Sequence, residues 1–154
     1  MDLNPDIIKF LHKAQAICSK AEKCKSDIIK HLQKYELSES DIDSIIKELI
    51  EDKFIDDSRY AKFYVNDKLK FNKWGKIKIR YFLKQKQIDD YIINDILQQI
   101  DDDFYIEILK TLIKQKLRSI KKSDDEIKKK SAVLRFAISR GFEYGLIMNI
   151  INKS

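Results

Sequence analysis

An internal repeat of apolar residues is the feature that most restricts the fold available to this chain of 154 residues. Six apolar positions recur without a gap at a shift of 51 residues, and five of them recur after a further 54. The copies are Leu32, Leu37, Ile42, Ile45, Ile46 and Leu49; Leu83, Ile88, Ile93, Ile96, Leu97 and Ile100; and Ala137, Phe142, Ile147, Ile150 and Ile151. A fixed period of this length is typical of stacked repeats, in which each unit buries its apolar face against its neighbours.

Within each copy the apolar residues follow the three- and four-residue spacing of amphipathic helices. The chain has only 3 Gly and 1 Pro, too few for an all-β protein with frequent tight turns. We therefore predict an all-α fold, an elongated, curved array of about three tandem three-helix repeats. The predicted helices span about 5–22, 26–36, 38–49, 57–69, 76–87, 89–100, 103–119 and 123–140, followed by a last short helix.

The repeat also predicts a division of the chain. A leading helix would occupy 1–23 and be followed by repeats at 24–72 and 73–120, with a shorter repeat at 121–154. Helix-end signals agree with these positions. Pro5 follows Asn4 as a first helical residue, Ser38 is placed to cap a helix, and Gly141 is placed to end one.

Bulk composition favours a folded protein of the cytoplasm. No apolar run approaches the roughly 20 residues that cross a bilayer, and the first residues lack a signal-peptide pattern. Two cysteines do not form a disulfide framework. We expect a cytoplasmic, reduced protein that is a monomer and has no membrane partner.

Charge is distributed in blocks along the chain. Residues 60–88 hold nine Lys or Arg against one acid, although the whole chain has a net charge of only +6. Residues 110–122 are also basic, whereas 39–57 and 89–107 are acidic. Such blocks favour a polyanionic or acidic partner. Solvated helix faces that only keep the protein soluble remain an equally valid interpretation of any single block.

Residues suited to catalysis are scarce. His12, Cys18, Cys24 and His31 lack the short Cys-x2–4-Cys spacing of zinc sites, and no glycine-rich phosphate loop or nucleophile motif is present. The acidic run at 101–103 lies between two predicted helices and is typical of a solvated cap. We predict that the chain is not an enzyme and uses no metal or cofactor.

Asp56 and Asp57 are a second candidate for paired carboxylates. Asp57 stands at the predicted start of a helix, where an N-cap carboxylate accepts backbone N–H bonds, and Asp56 would share that role or lie in the turn. A metal site would need further ligands from elsewhere, and the sequence offers none.

Basic residues at helical spacing are the candidate partner-binding residues. Lys76, Arg80 and Lys84 recur at four-residue steps, which places them on one stripe of a helix. The other members of the set are Lys62, Lys70, Lys73, Lys110, Lys114 and Arg118. Stacked repeats would range the two stripes, 76/80/84 and 110/114/118, together with Lys62 and Lys70, over one extended positive surface. Trp74, at the break between helices, has two open interpretations, an interface anchor or inter-repeat core.

Several motifs resemble those of the regulatory protein RecX family. The stretch 54–61, FIDDSRYA, resembles its hydrophobic-Asp-Asp-x-Arg-aromatic-Ala signature; 75–88 resembles the Gly-led basic segment that follows; and 139–142 resembles its terminal Arg-Gly-Phe element. The signature residues expected to be structural are Asp56, Asp57, Arg59, Tyr60, Ala61, Gly75, Gly141 and Phe142. Gln87 departs from the family, which usually has Gly there.

The resemblance implies a function as well as tandem three-helix repeats. Family members bind the RecA recombinase within the groove of the RecA–DNA filament, and inhibit or modulate filament extension, ATP hydrolysis, strand exchange and co-protease activity. It thus implies the RecA filament as partner, with single- or double-stranded DNA as a second one. Two alternatives stay open: a helical protein that binds nucleic acid without RecA, and a helical scaffold with no such partner.

Overall fold

The computed structural model describes residues 4–153 and is helical throughout that range, with nine α-helices, one π-helical turn and no strand. The helices are α1 Pro5–Lys20, α2 Lys25–Leu32, α3 Glu39–Glu51, α4 Asp57–Asp67, α5 Lys76–Gln85, α6 Asp90–Gln98, α7 Asp102–Ser119, α8 Glu126–Ser139 and α9 Tyr144–Lys153. The π-helical turn, Lys68–Asn72, follows α4. The all-α prediction is confirmed.

Side-chain caps fix where the helices begin. Asn4 caps α1 ahead of Pro5, and Ser38 Oγ accepts a hydrogen bond from Asp41 N at 3.0 Å at the start of α3. Asp101 and Asp125 cap α7 and α8 in the same manner. These carboxylates satisfy N–H groups that have no partner within the first helical turn. The interpretation of the acidic run at 101–103 as a helix cap is confirmed.

The helices pack in three consecutive groups of three: α1–α3, α4–α6 and α7–α9. These groups begin one helix earlier than the repeats predicted at 24–72, 73–120 and 121–154. A repeat in sequence has no preferred starting point, so the period alone does not say which three neighbouring helices pack together. The predicted division therefore stays a prediction, and the packed groups are called unit 1, unit 2 and unit 3 below.

Two hydrophobic cores hold the units. Unit 1 has its own core, whereas units 2 and 3 share a second, continuous one. Cys24, the residue before α2, belongs to the second core and so ties unit 1 to unit 2. The repeated apolar positions line these cores, as predicted, and Leu32, Leu83 and Ile147 are completely buried.

The solvent-accessible surface of 10103 Å² shows that the chain is less compact than a sphere-like domain. A compact protein of this mass would expose about 8,100 Å². An elongated row of small units exposes more surface because each unit packs only against its sequence neighbours.

Candidate partner-binding surface

The π-helical turn places Trp74 at the centre of an aromatic and cationic cluster. Lys73, after the turn, adopts a left-handed conformation with φ of 52°, and Trp74 N then donates to Lys68 O at 3.0 Å. The Trp74 ring stacks on Phe82 with centroids 5.1 Å apart. The ammonium groups of Lys68 and Lys78 lie 5.0 and 4.5 Å from the Trp74 ring centroid. We call Lys68, Trp74, Lys78 and Phe82 the Trp74 cluster.

Trp74 is half-buried, and its ring packs against the second core. Both interpretations of Trp74, an interface anchor or inter-repeat core, stay open. Phe82 is 36% exposed, and its ring stacks on that of Trp74. The cluster is a surface site in which cations lie over an aromatic ring.

The three basic residues of the predicted α5 stripe lie along one side of that helix. Lys76 Nζ lies 4.7 Å from the ring centroid of Tyr105, Arg80 donates to Asn94 Oδ1, and Lys84 Nζ lies 3.2 Å from an Asp90 oxygen. The Lys84–Asp90 pair is exposed and contributes little to stability. All three basic groups thus face α6 and the start of α7.

The predicted stripe on α7 borders a groove of about 620 Å³ beside α9. Lys110 and Lys114 lie on its rim, but so do Asp103 and Glu107, and Lys110 Nζ is 3.8 Å from Glu107. Arg118, at the end of the stripe, is exposed, as are Lys62 and Lys70 in unit 2.

Lys73 lies away from the stripe on α7. It borders a different cleft, whose α7 residues are Leu112, Gln115, Lys116 and Ser119. At 100° per residue these lie on the opposite side of α7 from Lys110 and Lys114. The extended positive surface formed by the two stripes with Lys62 and Lys70 stays a prediction.

The acidic pair of the signature caps two different helices. Asp56, not Asp57, is the N-cap of α4, and its Oδ1 accepts from Arg59 N at 3.1 Å. Asp57 Oδ1 instead accepts from Lys25 N at 2.8 Å, at the start of α2 in unit 1. The prediction that Asp57 caps its own helix is wrong by one residue. Burial raises the pKa of Asp57, although the Lys25 hydrogen bond and charge oppose the rise.

Arg59, Tyr60 and Ala61 complete the joint between units 1 and 2. Arg59 Nε lies 2.8 Å from Glu22 Oε1, and its other nitrogens donate to the carbonyls of Lys53 and Phe54. Ala61 is completely buried, while Tyr60 is half-buried and burial raises its pKa. The joint is therefore largely polar.

A second polar contact reinforces that joint from the end of α5. Lys86 Nζ lies 2.7 Å from Asp27 Oδ1, and Ser26 Oγ donates to Lys86 O at 2.6 Å. Burial would raise the pKa of Asp27, but hydrogen bonds from Lys86 and Cys24 and the Lys86 charge hold it below its usual value.

Gly75, Gly141 and Phe142 form the joint between units 2 and 3. Gly75 N donates to Arg140 O at 2.7 Å, and Ile77 N donates to Gly141 O at 3.0 Å. Phe142 is buried, and its ring packs on Tyr105 with centroids 5.2 Å apart. Tyr105 OH donates to Glu143 and accepts from Lys76 N, and burial together with the Glu143 contact raises the pKa of Tyr105.

Sequence reasoning missed four cations that the packing brings to these surfaces. Lys68 and Lys78 belong to the Trp74 cluster, and Lys116 and Arg140 belong to the cleft that Lys73 borders. An alternation of Lys with aromatic residues over 62–82 was the one available signal for the first pair. The second pair comes from the consecutive helices α7 and α8 and meets at the Phe136 ring only through their packing, which helical spacing does not show.

Two kinds of site are absent from the described part of the chain. Residues 4–153 contain no group of three or more His, Cys, Asp or Glu side chains placed to hold a metal ion. Over the same residues, no helix combines the length and apolar character needed to span a bilayer.

Comparison with known proteins identifies the family. The RecX second three-helix domain matches residues 56–97, a range that coincides with unit 2. The regulatory protein RecX of Clostridium botulinum strain Eklund 17B is 34% identical over 99% of this chain and 76% of its own length. That of Clostridium acetobutylicum is 31% identical over 92% of this chain, which spans 66% of that relative's length.

A solved structure gives the same answer. The crystal structure of RecX from Lactobacillus salivarius superimposes with a TM-score of 0.89, at 27% identity, over 98% of this chain and 97% of that one. The matched part of this chain thus includes residues of all three units. The chain belongs to the RecX family of regulatory proteins.

Proposed function

We propose that this chain binds the RecA recombinase–DNA filament in its groove and inhibits or modulates RecA activity. The observation that carries the proposal is family membership over nearly the whole chain. An elongated row of rigid units suits a long, periodic partner, because successive units can contact successive subunits. The reactions affected would be filament extension, ATP hydrolysis, strand exchange and co-protease activity, through which the chain would regulate DNA repair and recombination.

The charge distribution supports contact with a polyanionic assembly. Lys76, Arg80 and Lys84 are proposed to contact RecA or the DNA of the filament. Lys84 and its partner Asp90 are both exposed, and such an ion pair is exchanged for an intermolecular partner at small cost. Lys76 and Arg80 are half-buried, beside the buried Tyr105 ring and the exposed Asn94 respectively. Arg80 can bind a carboxylate or phosphate with two nitrogens, whereas the lysines act as single charges.

The contacts of the signature residues support a structural role for them that is separate from filament binding. Asp57, Arg59, Gly75 and Gly141 hold neighbouring units together. We propose that these residues set the spacing and orientation of the units, and that the basic residues on the surface of α5 make the contacts with the filament. Loss of a joint residue would then reduce function indirectly, through misplaced units.

The test is a capture experiment with three immobilised targets: RecA alone, single-stranded DNA alone, and RecA assembled on that DNA with a non-hydrolysable ATP analogue. We expect saturable capture by the assembled filament at concentrations at which neither component alone captures the chain. Equal capture by naked DNA and filament would instead favour the RecA-independent nucleic-acid-binding alternative. No saturable capture by the filament would refute the proposal.

A further inference from the structure

A cleft between the π-helical turn, α7 and α8 is lined by residues to which the proposed function assigns no role. Its volume is about 460 Å³, within the range of about 300–1,000 Å³ typical of small-ligand sites. Three cations line it, Lys73, Lys116 and Arg140, and no described residue on its wall is an Asp or Glu. Four other surface depressions each include at least one carboxylate. We call this site the Phe71 cleft.

Cations in the Phe71 cleft are held in place by the fold. Arg140 donates to Asn72 O at 2.8 Å, and its guanidinium carbon lies 4.9 Å from the Phe136 ring centroid. Lys116 Nζ lies 5.0 Å from the same centroid. With no carboxylate on the wall to neutralise them, these cations raise the local potential for an anion.

An exposed aromatic ring stands beside these charges. Phe71 is 79% exposed, whereas Phe136 is partly buried and already covered by Lys116 and Arg140. The Phe71 ring is therefore the one on this wall with faces open to a ligand. Cations that track a phosphate backbone, next to a ring on which a base can stack, are the elements of single-strand nucleic acid binding.

The surroundings favour a polymer over a free nucleotide. Lys73 leads directly into the Trp74 cluster, and Lys78 Nζ of that cluster donates to Ser139 O, next to Arg140. Cations and rings thus continue beyond the cleft, where a strand could place its next nucleotides. A double helix fits less well, because its bases are already stacked and a side chain cannot stack on them without opening the duplex.

We propose that the Phe71 cleft binds single-stranded nucleic acid, with Lys73, Lys116 and Arg140 contacting phosphates and Phe71 stacking on a base. The biological use of this site rests on the proposed function. The Phe71 cleft would be the place where this chain itself contacts a DNA strand, either one bound in the RecA filament or one displaced from it. The binding step needs no RecA, and this makes it separately testable.

The experiment measures fluorescence anisotropy of labelled oligonucleotides with the full chain and without RecA. The probes are a 20-residue oligo(dT), an abasic strand of equal length, and a duplex. We expect oligo(dT) to bind at least about fivefold more tightly than the abasic strand, the gain from one stacked base. Phe71→Ala should remove that preference, and Phe63→Ala, at another exposed ring, should keep it.

Salt dependence tests the phosphate contacts. Lys73→Asn with Lys116→Gln removes two charges, and Asn tolerates the left-handed backbone at position 73. The slope of log K against log salt should become shallower by about 1.4, that is about 0.7 for each phosphate contact. Lys30→Gln with Lys34→Gln, two exposed lysines in unit 1, should leave the slope unchanged.

Any of three results would refute the proposal that the Phe71 cleft binds single-stranded nucleic acid. They are equal affinity for oligo(dT) and the abasic strand, a duplex that competes as well as the single strand, and a salt slope unaltered by the paired substitution. Circular dichroism confirms that each variant is folded. A failure here leaves capture by the RecA filament intact, whereas failure of the proposed function would appear as no capture of wild-type chain by that filament.

Discussion

Gly75 and Gly141 meet backbone to backbone where α5 begins and α8 ends. A Cβ added to Gly75 would lie 2.3 Å from the Gly141 carbonyl oxygen, and one added to Gly141 would lie 2.3 Å from Lys78 Cβ. Gly141 also has φ of +92°, which L side chains rarely adopt. The two glycines therefore let units 2 and 3 approach closely enough to exchange main-chain hydrogen bonds.

We predict that Gly75→Ala and Gly141→Ala each lower the free energy of unfolding by about 1–3 kcal/mol, because backbone must move to admit the methyl group. Urea unfolding followed by circular dichroism measures the change. Gly145→Ala is the matched control. Position 145 lies within α9 with nothing near its added Cβ, so alanine should stabilise by up to about 1 kcal/mol. A loss at position 145 as large as that at 75 would contradict this account.

Asp57 offers a test of the joint between units 1 and 2. Its carboxylate accepts the Lys25 N–H, and burial makes the ionised form costly. Asp57→Asn keeps an acceptor oxygen and removes the buried charge, so we predict a change in unfolding free energy within about 0.5 kcal/mol.

Asp57→Ala, by contrast, leaves Lys25 N without its partner and should cost about 1 kcal/mol or more. Thermal unfolding of both variants provides the measurement. Equal effects of the Asn and Ala substitutions would mean that the charge of Asp57, and not its hydrogen bond to α2, stabilises the joint.

The Asp27–Lys86 contact predicts a dependence on pH. The pKa of Asp27 lies below its usual value in the folded protein, and that of Lys86 is raised, chiefly by the same hydrogen bond. For a carboxyl group with a lowered folded-state pKa, the stabilisation is complete above the unfolded pKa of about 3.9 and is lost as pH falls through the folded pKa.

We therefore expect Asp27→Asn to destabilise the protein at pH 7 by no more than about 1 kcal/mol, since the Lys86 side chain is 42% exposed and partly screened. Unfolding in urea at a series of pH values should show wild type and variant converging below about pH 4. A gap between them that stays constant down to about pH 3 would rule out this role for the charged pair.

Gln87 occupies a backbone conformation suited to glycine, with φ of 59°. It follows α5 and lies in the turn that ends it, where Gln87 N donates to Lys84 O and Ile88 N donates to Leu83 O. At this residue the chain departs from the family motif, and its backbone conformation explains why glycine is usual there.

Replacing Gln87 with Gly should stabilise the protein by about 0.5–1 kcal/mol. Relief of left-handed strain, about 1–2 kcal/mol, exceeds the entropic cost of glycine. Gln15→Gly, inside α1, should instead destabilise by about 1 kcal/mol. Differential scanning calorimetry of the two variants distinguishes these effects, and a loss of stability in Gln87→Gly would refute the strain argument.

The sequence predicted the helices and the core well because both depend on local apolar spacing. Leu32, Leu83 and Ala137 stand in register across the three copies, and each is at most 1% exposed. Predicted helix ends differ from the observed ones by up to three or four residues, as with α8, which begins at Glu126 and not near 123. Frayed ends and capping choices vary within that range.

What the sequence did not predict depends on contacts between distant segments. Asp57 looked like a local cap, but its partner is Lys25 in another unit. Phe82 has the spacing of a core residue, yet it covers Trp74 because the π-helical turn brings that ring over α5. Lys116 and Arg140 meet at one ring only after α7 and α8 have packed together.

ATP hydrolysis by RecA on single-stranded DNA measures whether the chain regulates RecA. The variant reverses Lys76, Arg80 and Lys84 to Glu. The control reverses Lys30, Lys34 and Lys47, exposed lysines of unit 1, so that both variants fall from a net charge of +6 to zero. Equal net charge removes long-range electrostatics as an explanation of any difference.

We predict that wild type and the control inhibit RecA hydrolysis in a saturable manner, and that the α5 variant loses this inhibition while retaining its helical circular dichroism. Unchanged inhibition by the α5 variant would contradict the assignment of the stripe. Absence of inhibition by the wild-type chain, together with no modulation of strand exchange, would contradict the proposed regulation of RecA.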